Sequence, residues 1–457
     1  MTKTLGIITE YDPYHKGHAY FLEEAKRLSG ADRTIAVMSG AFVQRGEPAM
    51  LDKYVRAETA VRSGVDLVVE MPFAYGATGP ENFARGGIRI LSALGVVDAI
   101  AFGSESANVE PMKDLAKALA FESAELSRQI SIELAKGITF PAARHAAVET
   151  EFGKEAADML IKPNDILGVE YLKQLYLIEA EKTKRGLICF HPGAGATGEP
   201  LLDAVYAVHR KGPGDDGADS ELRFAGAGAI RALFREGRIG EAFNYMPSIT
   251  SELIQHRIHE YQPDISVWEM RTEHDLRIDM GGQRRSTSGL GMVFSEALFE
   301  PFQYALLSIG PRASSAIYTA AEGVENRLFE GAMRAKNYYE LVSLVKSKRF
   351  TESRIRRLVL HTTLRLSKAD MRRAMNERIC ARILAFNDKG ADILKDARSA
   401  DSAARGAVLF QNLRVQEEEL SRSPALIELA VRADKLYHML VEGNLTGYRY
   451  SPEPIRV

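Results

Sequence analysis

The sequence predicts an α/β protein in which an open parallel sheet is followed by a mainly α-helical part. Through about the first 100 residues, short apolar runs rich in β-branched residues alternate with helical patterns, which is typical of βαβ units. Beyond about residue 235 strand signals become rare and helical periodicity dominates. The 457 residues are about three times the ~150 usual for one domain, so more than one hydrophobic core is expected.

The predicted strands of the N-terminal part are joined by helices. The helix after the first strand, residues 18–29, has most of its apolar residues on one side and ends at Gly30, a residue favoured in left-handed helix caps. Ligands bind at the carboxyl edge of open parallel sheets, so we expect the loops that follow the strands to form the site. The four predicted strands are residues 5–9, 34–38, 66–71 and 96–102.

The remaining signals place a domain boundary near residue 235. Weak strand patterns at residues 187–190 and 204–209 flank a Gly- and Pro-rich loop, and a second such loop, residues 211–217, precedes a predicted helix at residues 229–235. Two further helices are predicted at residues 332–346 and 354–366, and residues 280–291 are polar and Gly-rich. We therefore expect a sheet domain over residues 1–235 and a helical domain over residues 236–457.

Composition and charge exclude several classes of protein. Charged residues make up 26 % of the chain and hydrophobic residues 46 %, which excludes a fibrous or mostly disordered protein. The net charge is −2, so any affinity for nucleic acid must come from local clusters of Lys and Arg. Cys189 and Cys380 form neither a disulfide framework nor a zinc pattern, which fits a reducing compartment.

The N-terminus does not resemble a secretory signal, and no apolar run approaches ~18 residues. We therefore expect a cytoplasmic protein that does not associate with a membrane. The oligomeric state is not indicated by the sequence.

The most informative segment is the loop after the first strand, Gly6-Ile-Ile-Thr-Glu-Tyr-Asp-Pro-Tyr-His-Lys-Gly-His18. A buried strand ends here in a loop whose His15, Gly17 and His18 begin a helix. Free N–H groups at a helix N-terminus attract anions, Gly17 allows a phosphate to approach the backbone, and two imidazoles can donate hydrogen bonds to a phosphate. Two alternatives are a pair of polar surface histidines and a pair of zinc ligands, although no third ligand recurs nearby.

This loop resembles the HIGH-type signature of the nucleotidylyltransferase superfamily, which has a Rossmann-like parallel-sheet nucleotidyltransferase domain. The whole of Thr9-Glu-Tyr-Asp-Pro-Tyr-His-Lys-Gly-His18 is similar to one branch, the bacterial tRNA(Met) cytidine acetate ligases. Similar blocks follow in the same order at residues 37–49, 64–72, 102–105, 164–173, 209–212, 321–328 and 348–358.

The resemblance implies an ATP-dependent ligase that forms acetyl-AMP and acetylates N4 of the wobble cytidine of elongator tRNA(Met). It implies ATP as cofactor, with Mg²⁺ expected on the phosphates, and acetate and tRNA as partners. His15 and His18 would be catalytic. The implied ATP contacts are Ile7, Ile8, Thr9, Glu10, Tyr11, Asp12, Pro13, Tyr14, His15, Lys16, Gly17, His18, Ala19, Tyr20, Gly103, Asn164 and Arg210.

The three ATP contacts outside the loop have sensible chemistry. Gly103 permits close approach of a base or ribose, Asn164 can both donate and accept, and the Arg210 guanidinium suits phosphate oxygens. Each also has a structural alternative: a turn at Gly103, a helix cap at Asn164, and a surface ion pair at Arg210.

Four polar residues after the second strand should lie at the same sheet edge. We expect acetate and pyrophosphate contacts there, although a solvated face with ion pairs to nearby carboxylates is an equal alternative. The four residues are Gln44, Arg45, Lys53 and Arg56.

A basic stretch in the helical part is the candidate surface for RNA. Residues 346–382 contain 12 Lys and Arg against 3 acids, a difference of +9. Such a cluster can follow a phosphate backbone, and Arg354, Arg356 and Arg357 are the predicted RNA contacts. The alternative is a solvated helix surface that pairs with acids elsewhere.

The chain departs from the resembled pattern at several positions. Gly226 and Gly228 stand where the family has hydroxyl residues, so two side-chain donors to phosphate are missing while the backbone N–H groups remain. Two other functions therefore stay open. One is a conventional adenylyltransferase of a small coenzyme precursor, and the other is a non-catalytic RNA-binding scaffold.

Overall fold

A computed structural model describes residues 2–184, 201–211, 224–262, 290–399, 407–410, 424–448 and 453–457. The predicted strand at 187–190, the loop at 191–200, Cys189 and most of the stretches at 211–217 and 280–291 lie outside the described residues.

The N-terminal half alternates strands and helices as predicted. The strands begin within three residues of the predicted positions, because each is a short apolar run between turn residues. The successive elements are β1 (Thr4–Thr9), α1 (Lys16–Ser29), β2 (Arg33–Ser39), α2 (Lys53–Arg62), β3 (Leu67–Met71), α3 (Phe73–Gly76), α4 (Pro80–Leu94), β4 (Ala99–Ser104), α5 (Val109–Ala120), α6 (Ala124–Ala135), α7 (Phe140–Phe152), α8 (Lys154–Met159), α9 (Asp165–Lys184), β5 (Val205–His209) and α10 (Ala227–Arg235).

The remaining elements in the described residues are mostly helices, with three further strands among them. They are α11 (Ile239–Phe243), α12 (Ser248–Tyr261), a 3₁₀ turn (Ser295–Leu298), α13 (Phe299–Ser314), α14 (Val324–Ala332), α15 (Tyr338–Val345), α16 (Glu352–Thr363), α17 (Lys368–Asn376), β6 (Ile379–Phe386), α18 (Asp388–Ser399), β7 (Ala407–Phe410), α19 (Pro424–Glu442) and β8 (Ile455–Arg456).

One sheet joins the two halves of the chain. Its strand order is β5-β4-β1-β2-β3-β6-β7, and β8 also pairs with β6. The first five strands are parallel, as predicted, whereas β6 runs antiparallel to β3. The apolar run of β6 was not predicted as a strand, because such a short run can equally form a buried helix segment and Arg382 interrupts it.

Two helix predictions needed adjustment, and one cap was confirmed. Residues 332–346 form the end of α14 and all of α15, because Asn337 caps a new helix by accepting the backbone N–H of Glu340 at 2.9 Å. The helix predicted at 354–366 is α16, two to three residues earlier. Gly30 ends α1 with a left-handed φ of 64°, as predicted.

Candidate active site

The loop between β1 and α1 lies at the carboxyl edge of the sheet, as predicted. The side chains of Tyr11 and Tyr14 are buried beneath this loop, with ring centroids 4.8 Å apart, and Ile7 is buried within β1. Ile8, Thr9, Lys16, Ala19 and Tyr20 are half-buried around the loop. Tyr11, Tyr14 and Ile7 therefore pack into the interior, while the half-buried residues are partly open to solvent.

The two predicted catalytic histidines are in direct contact. Their rings stack with centroids 3.7 Å apart, and the backbone N–H of His15 donates to Nδ1 of His18 at 3.3 Å. Nδ1 of His15 is buried and has no hydrogen-bond partner within the described part of the chain. A Cβ on Gly17 would lie 3.0 Å from that Nδ1, so the glycine makes room for the His15 ring. Gly17 therefore has a packing role beside His15, in addition to the role predicted from the sequence, which is to let a phosphate approach the backbone.

Burial keeps both imidazoles neutral. It lowers the pKa of His15 to about 3, and the positive charge of Arg210 acts in the same direction. The pKa of His18 is held well below its usual value by burial first, then by His15 and Arg210. Neutral imidazoles can each donate one hydrogen bond, and a bound anion would raise both pKa values.

The opposite wall of the site contains the other predicted ATP contacts. Gly103 lies within β4, so it does not form a turn, and a Cβ there would lie 3.2 Å from Cγ of Arg210. Arg210 follows β5 and donates from Nη1 to Oδ1 of Asn164 at 2.8 Å, and Asn164 donates from Nδ2 to Glu105 at 2.6 Å. The three predicted contacts are thus gathered at one place, with Glu105 added to them.

The alternative of a helix cap is only partly met at Asn164. Its backbone carbonyl accepts the N–H of Gly168 in the first turn of α9, but its side chain bonds to Glu105 and Arg210 instead. Asp165 next to it accepts from Ser104 Oγ at 2.5 Å and from the Glu105 N–H at 2.9 Å. These bonds fix the end of β4 against α9.

The acidic residues of the loop are held by groups from later in the chain. Asp12 accepts the N–H of Met50 at 2.7 Å and lies 3.3 Å from Arg231, which also donates to the Asp12 carbonyl at 2.8 Å. Glu10 accepts the N–H of Gln44 at 2.6 Å, and burial raises the pKa of its carboxyl. Pro13 is also buried.

The four residues expected to contact acetate and pyrophosphate fall into two groups. Arg56 is buried and donates to the carbonyls of Glu10, Ser39, Gly40 and Leu51, and Lys53 is paired with Glu70 and Asp434. The alternative of ion pairing is thus met at Lys53, although its partners are not the carboxylates near it in sequence, Glu47, Asp52 and Glu58. Arg56 binds backbone carbonyls instead.

Gln44 and Arg45 lie beside Glu10 of the β1 loop and remain candidates for the acetate contacts. Nε2 of Gln44 is buried without a hydrogen-bond partner among the described residues, and Arg45 is exposed and acts electrostatically on Glu10.

The three arginines predicted to bind RNA lie on α16 and have protein partners. Arg354 pairs with Glu322 at 3.0 Å, and Arg357 donates to the Gln44 carbonyl at 3.2 Å. Arg356 contacts Glu47 and Glu352. Arg354 and Arg356 therefore match the alternative in which the arginines pair with acids, whereas Arg357 binds a backbone carbonyl, and RNA binding stays a prediction.

Three residues of the site had no assigned role in the sequence analysis. Glu105, Arg231 and Glu47 hold the ends of the loops, and Glu47 lies 3.4 Å from Arg231. Glu105 and Glu47 stand within motif blocks, and Arg231 ends the family segment that contains Gly226 and Gly228, which were the available signals. The contact of Arg231 with Asp12, 219 residues away, was not predictable from them. Gly226 is the N-cap residue of α10. A Cβ added at Gly226 or at Gly228 would meet no atom within 4 Å.

Comparison with known proteins gives the family. A family model described as HIGH Nucleotidyl Transferase matches residues 2–185 and 203–451. The tRNA(Met) cytidine acetate ligase of Caldanaerobacter subterraneus subsp. tengcongensis is 35 % identical over 397 residues, which cover 87 % of this chain and 86 % of that protein. The ligase of Alkaliphilus metalliredigens is 31 % identical and covers 97 % and 95 %.

Solved structures agree with the sequence comparison. The crystal structure of Thermotoga maritima TmcAL bound with alpha-thio ATP has a TM-score of 0.79 and 30 % identity, and the match covers 100 % of both chains. The apo structure of TmcAL gives a TM-score of 0.81 with 31 % identity, again over 100 % of both chains. The chain therefore belongs to the HIGH nucleotidyl transferase family and, within it, to the tRNA(Met) cytidine acetate ligases.

Proposed function

We propose that this protein is an ATP-dependent acetate ligase that makes acetyl-AMP and transfers the acetyl group to N4 of the wobble cytidine of elongator tRNA(Met). The observation that carries the proposal is the stacked, neutral His15 and His18 pair facing Arg210 and Asn164. Its ligase relatives match along most of their own length.

In the first step an acetate oxygen attacks the α-phosphorus of ATP. A new O–P bond forms, and the bond from the α-phosphorus to the leaving diphosphate breaks. The loop supplies no nucleophile, so its contribution is to orient the reactants and stabilise the charge on the phosphate oxygens. We assign that task to His15, His18 and Arg210. In the second step the N4 lone pair attacks the acetyl carbon, AMP leaves, and N4 loses a proton.

Gln44 and Arg45 are the proposed acetate contacts. The Nε2 donor of Gln44 is buried without a protein partner among the described residues, a state that is costly until a carboxylate accepts from it. Arg45 adds a nearby positive charge. Lys53 and Arg56 are excluded from this proposal because their protein partners occupy them.

Mg²⁺ bound to the phosphates of ATP completes the proposal. The described residues bring together no group of three His, Cys, Asp or Glu side chains that could hold a metal. Because Mg²⁺ binds readily through substrate phosphates and water, phosphate oxygens would supply most of its ligands, and the ion would neutralise the leaving diphosphate.

For tRNA we propose a contact through the exposed part of the basic stretch, Arg354 with its neighbour Arg349. The side chain of Arg349 is 58 % exposed and Arg354 is partly exposed, whereas Arg356 and Arg357 face the loop at residues 44–47. In the described residues, no helix is both long and apolar enough to cross a bilayer. A tRNA substrate would place the enzyme in the cytoplasm.

ATP–diphosphate exchange, measured with and without acetate, tests the function. Acetate-dependent exchange, followed by transfer of labelled acetate to tRNA(Met), is the expected result. Exchange that instead requires a coenzyme precursor would identify a conventional adenylyltransferase. RNA binding without any exchange would identify a scaffold.

A further inference from the structure

A second polar cavity lies at the same edge of the sheet as the histidine pair. Its volume is about 220 Å³, and its walls include Ala41 after β2 and Lys53 at the start of α2. Most of the other walls come from β6, α12 and α19, all from the C-terminal half. Helix α2 connects the cavity to the loop after β1, because Lys53 lines the cavity and Arg56, one turn later, donates to the Glu10 carbonyl.

The inner wall of this cavity is a cluster of buried charges. Nζ of Lys53 lies 2.9 Å from Glu70 and 2.6 Å from Asp434, and Arg382 Nη1 lies 3.3 Å from Asp434. All four side chains are at most 10 % exposed. Burying such a cluster costs more than an apolar packing of the same volume usually does, so stability alone is a weak reason for it. Asp434 and Arg382 both line the cavity, so its wall contains a carboxylate and a guanidinium.

Aromatic rings form another wall. Tyr54, Tyr437, Tyr448 and His438 line the cavity. The phenol oxygen of Tyr54 accepts from Arg382 at 3.3 Å, and that of Tyr437 donates to the Ala49 carbonyl at 2.9 Å. The orientations of these two rings are therefore fixed by the surrounding protein.

We propose that this cavity receives the acceptor base, a cytosine turned out of an RNA loop. A carboxylate accepts from the exocyclic amine of cytosine, and cationic donors suit its ring nitrogen and carbonyl oxygen. Bases that are recognised outside a helix stack on aromatic side chains and are read along their pairing edge. Asp434 would accept from the amine, and the Arg382 guanidinium would donate to the ring nitrogen or the carbonyl oxygen. This inference rests on the proposed function.

The size and position of the cavity agree with this occupant. Its volume of about 220 Å³ holds several waters and is therefore enough for one pyrimidine base. The cavity also adjoins the β1 loop, because Tyr437 in its wall bonds to the Ala49 carbonyl and the N–H of the next residue, Met50, donates to Asp12. The C-terminal elements thus complete a site that the sheet domain lacks on its own.

The first test measures discrimination between cytosine and uracil. Acetylation of the normal tRNA(Met) transcript is measured while a transcript with uridine at the wobble position competes for the enzyme. Each protein's acetylation rate is divided by its own ATP–diphosphate exchange rate. We expect wild-type protein to favour cytosine by about tenfold or more in binding, and Asp434→Asn to narrow that preference by about tenfold, because an amide can also donate to uracil.

Glu170→Gln is the matched control. Glu170 is a buried carboxylate that pairs with Arg144 at 3.0 Å, and it does not line this cavity. It should keep the wild-type preference. A folded Asp434→Asn protein that discriminates as wild type does would overturn the proposal.

The second test uses the unmodified protein, so it stands even if Asp434→Asn fails to fold. An anticodon stem-loop with pyrrolocytosine at the wobble position should lose fluorescence on binding, and the same probe one nucleotide away should not. Equal signals from the two probes would overturn the proposal. Wild-type protein without acetate-dependent exchange would instead contradict the proposed function.

Discussion

Nδ1 of His18 accepts the backbone N–H of His15, at 3.3 Å, while the two rings stack. An imidazole that is neutral and accepts at Nδ1 carries its proton on Nε2, so His18 has one donor to offer. The contact therefore fixes both the ring and the tautomer before ATP arrives. Such preorganised donors cost no rearrangement during the reaction.

Replacing His18 with Ala should lower acetate-dependent ATP–diphosphate exchange by about 100-fold or more, which is the usual effect of losing one donor to a developing negative charge. His18→Gln, which can also donate from a terminal nitrogen, should recover part of the rate. His256→Ala is the control, because the His256 side chain is 76 % exposed on α12. Wild-type exchange in His18→Ala would remove His18 from the mechanism.

The free energy of unfolding should fall in acid because of buried histidines. Burial lowers the pKa of His361 from 6.5 to about 3, and His15 behaves in the same way. Below pH 6.5 the unfolded chain binds protons that the folded chain excludes, so stability is lost as the pH falls from 6.5 towards 3. For His361 the loss between pH 6.5 and 5 is roughly 1.5 kcal/mol.

His361→Gln isolates this contribution, because the amide can still donate to the Ala77 carbonyl that His361 contacts at 3.0 Å. Urea unfolding of both proteins at pH 6.5 and pH 5 gives the comparison. The wild type should lose roughly 1.5 kcal/mol more than the variant over this interval. Parallel losses would show that His361 titrates normally in the folded protein.

The local pattern of residues was enough to predict the β1 loop, whereas contacts between distant segments were not predictable. The apolar run of β1, then Gly17 and two histidines at a helix start, are adjacent in the chain. By contrast, Arg356 and Glu47 are 309 residues apart, and Lys53 and Asp434 are 381 apart. Nothing in the spacing of Lys and Arg distinguishes a residue that pairs with a buried carboxylate from one that faces solvent.

Arg356→Ala should destabilise the protein by about 3 kcal/mol, because it removes a partner of the buried Glu47 carboxylate. Glu47→Gln in the same chain should recover part of the loss, since the buried carboxylate charge that has lost one of its two arginine partners is then gone. Denaturant unfolding of the two single variants and the double variant measures the coupling. Strictly additive losses would show that the two side chains do not interact.

Charge reversal of Arg349 and Arg354 together tests the RNA surface. If both arginines bind phosphates, tRNA binding should weaken, and the slope of its salt dependence should fall by up to about one unit for each arginine reversed. Arg128→Glu is the matched control, since Arg128 is an exposed arginine on α6 that pairs with Glu125 at 2.6 Å. Unchanged affinity and slope in a folded double variant would place the RNA surface elsewhere.

Gly226→Ser with Gly228→Thr should restore two hydroxyl groups at the start of α10 without a clash, because a Cβ at either glycine meets no atom within 4 Å. Serine at the N-cap position of Gly226 should stabilise α10 by a few tenths of a kcal/mol. If this helix start contacts the phosphates of ATP, the added donors should also lower the KM for ATP in the exchange reaction, because charge-assisted hydrogen bonds to phosphate are the stronger kind. Gly137→Ala, at an exposed turn with φ of 79°, is a control for replacing a glycine far from the site, and it should change stability but not the KM. A more stable double variant with the wild-type KM would mean that α10 begins too far from the phosphates for side-chain donors to reach them.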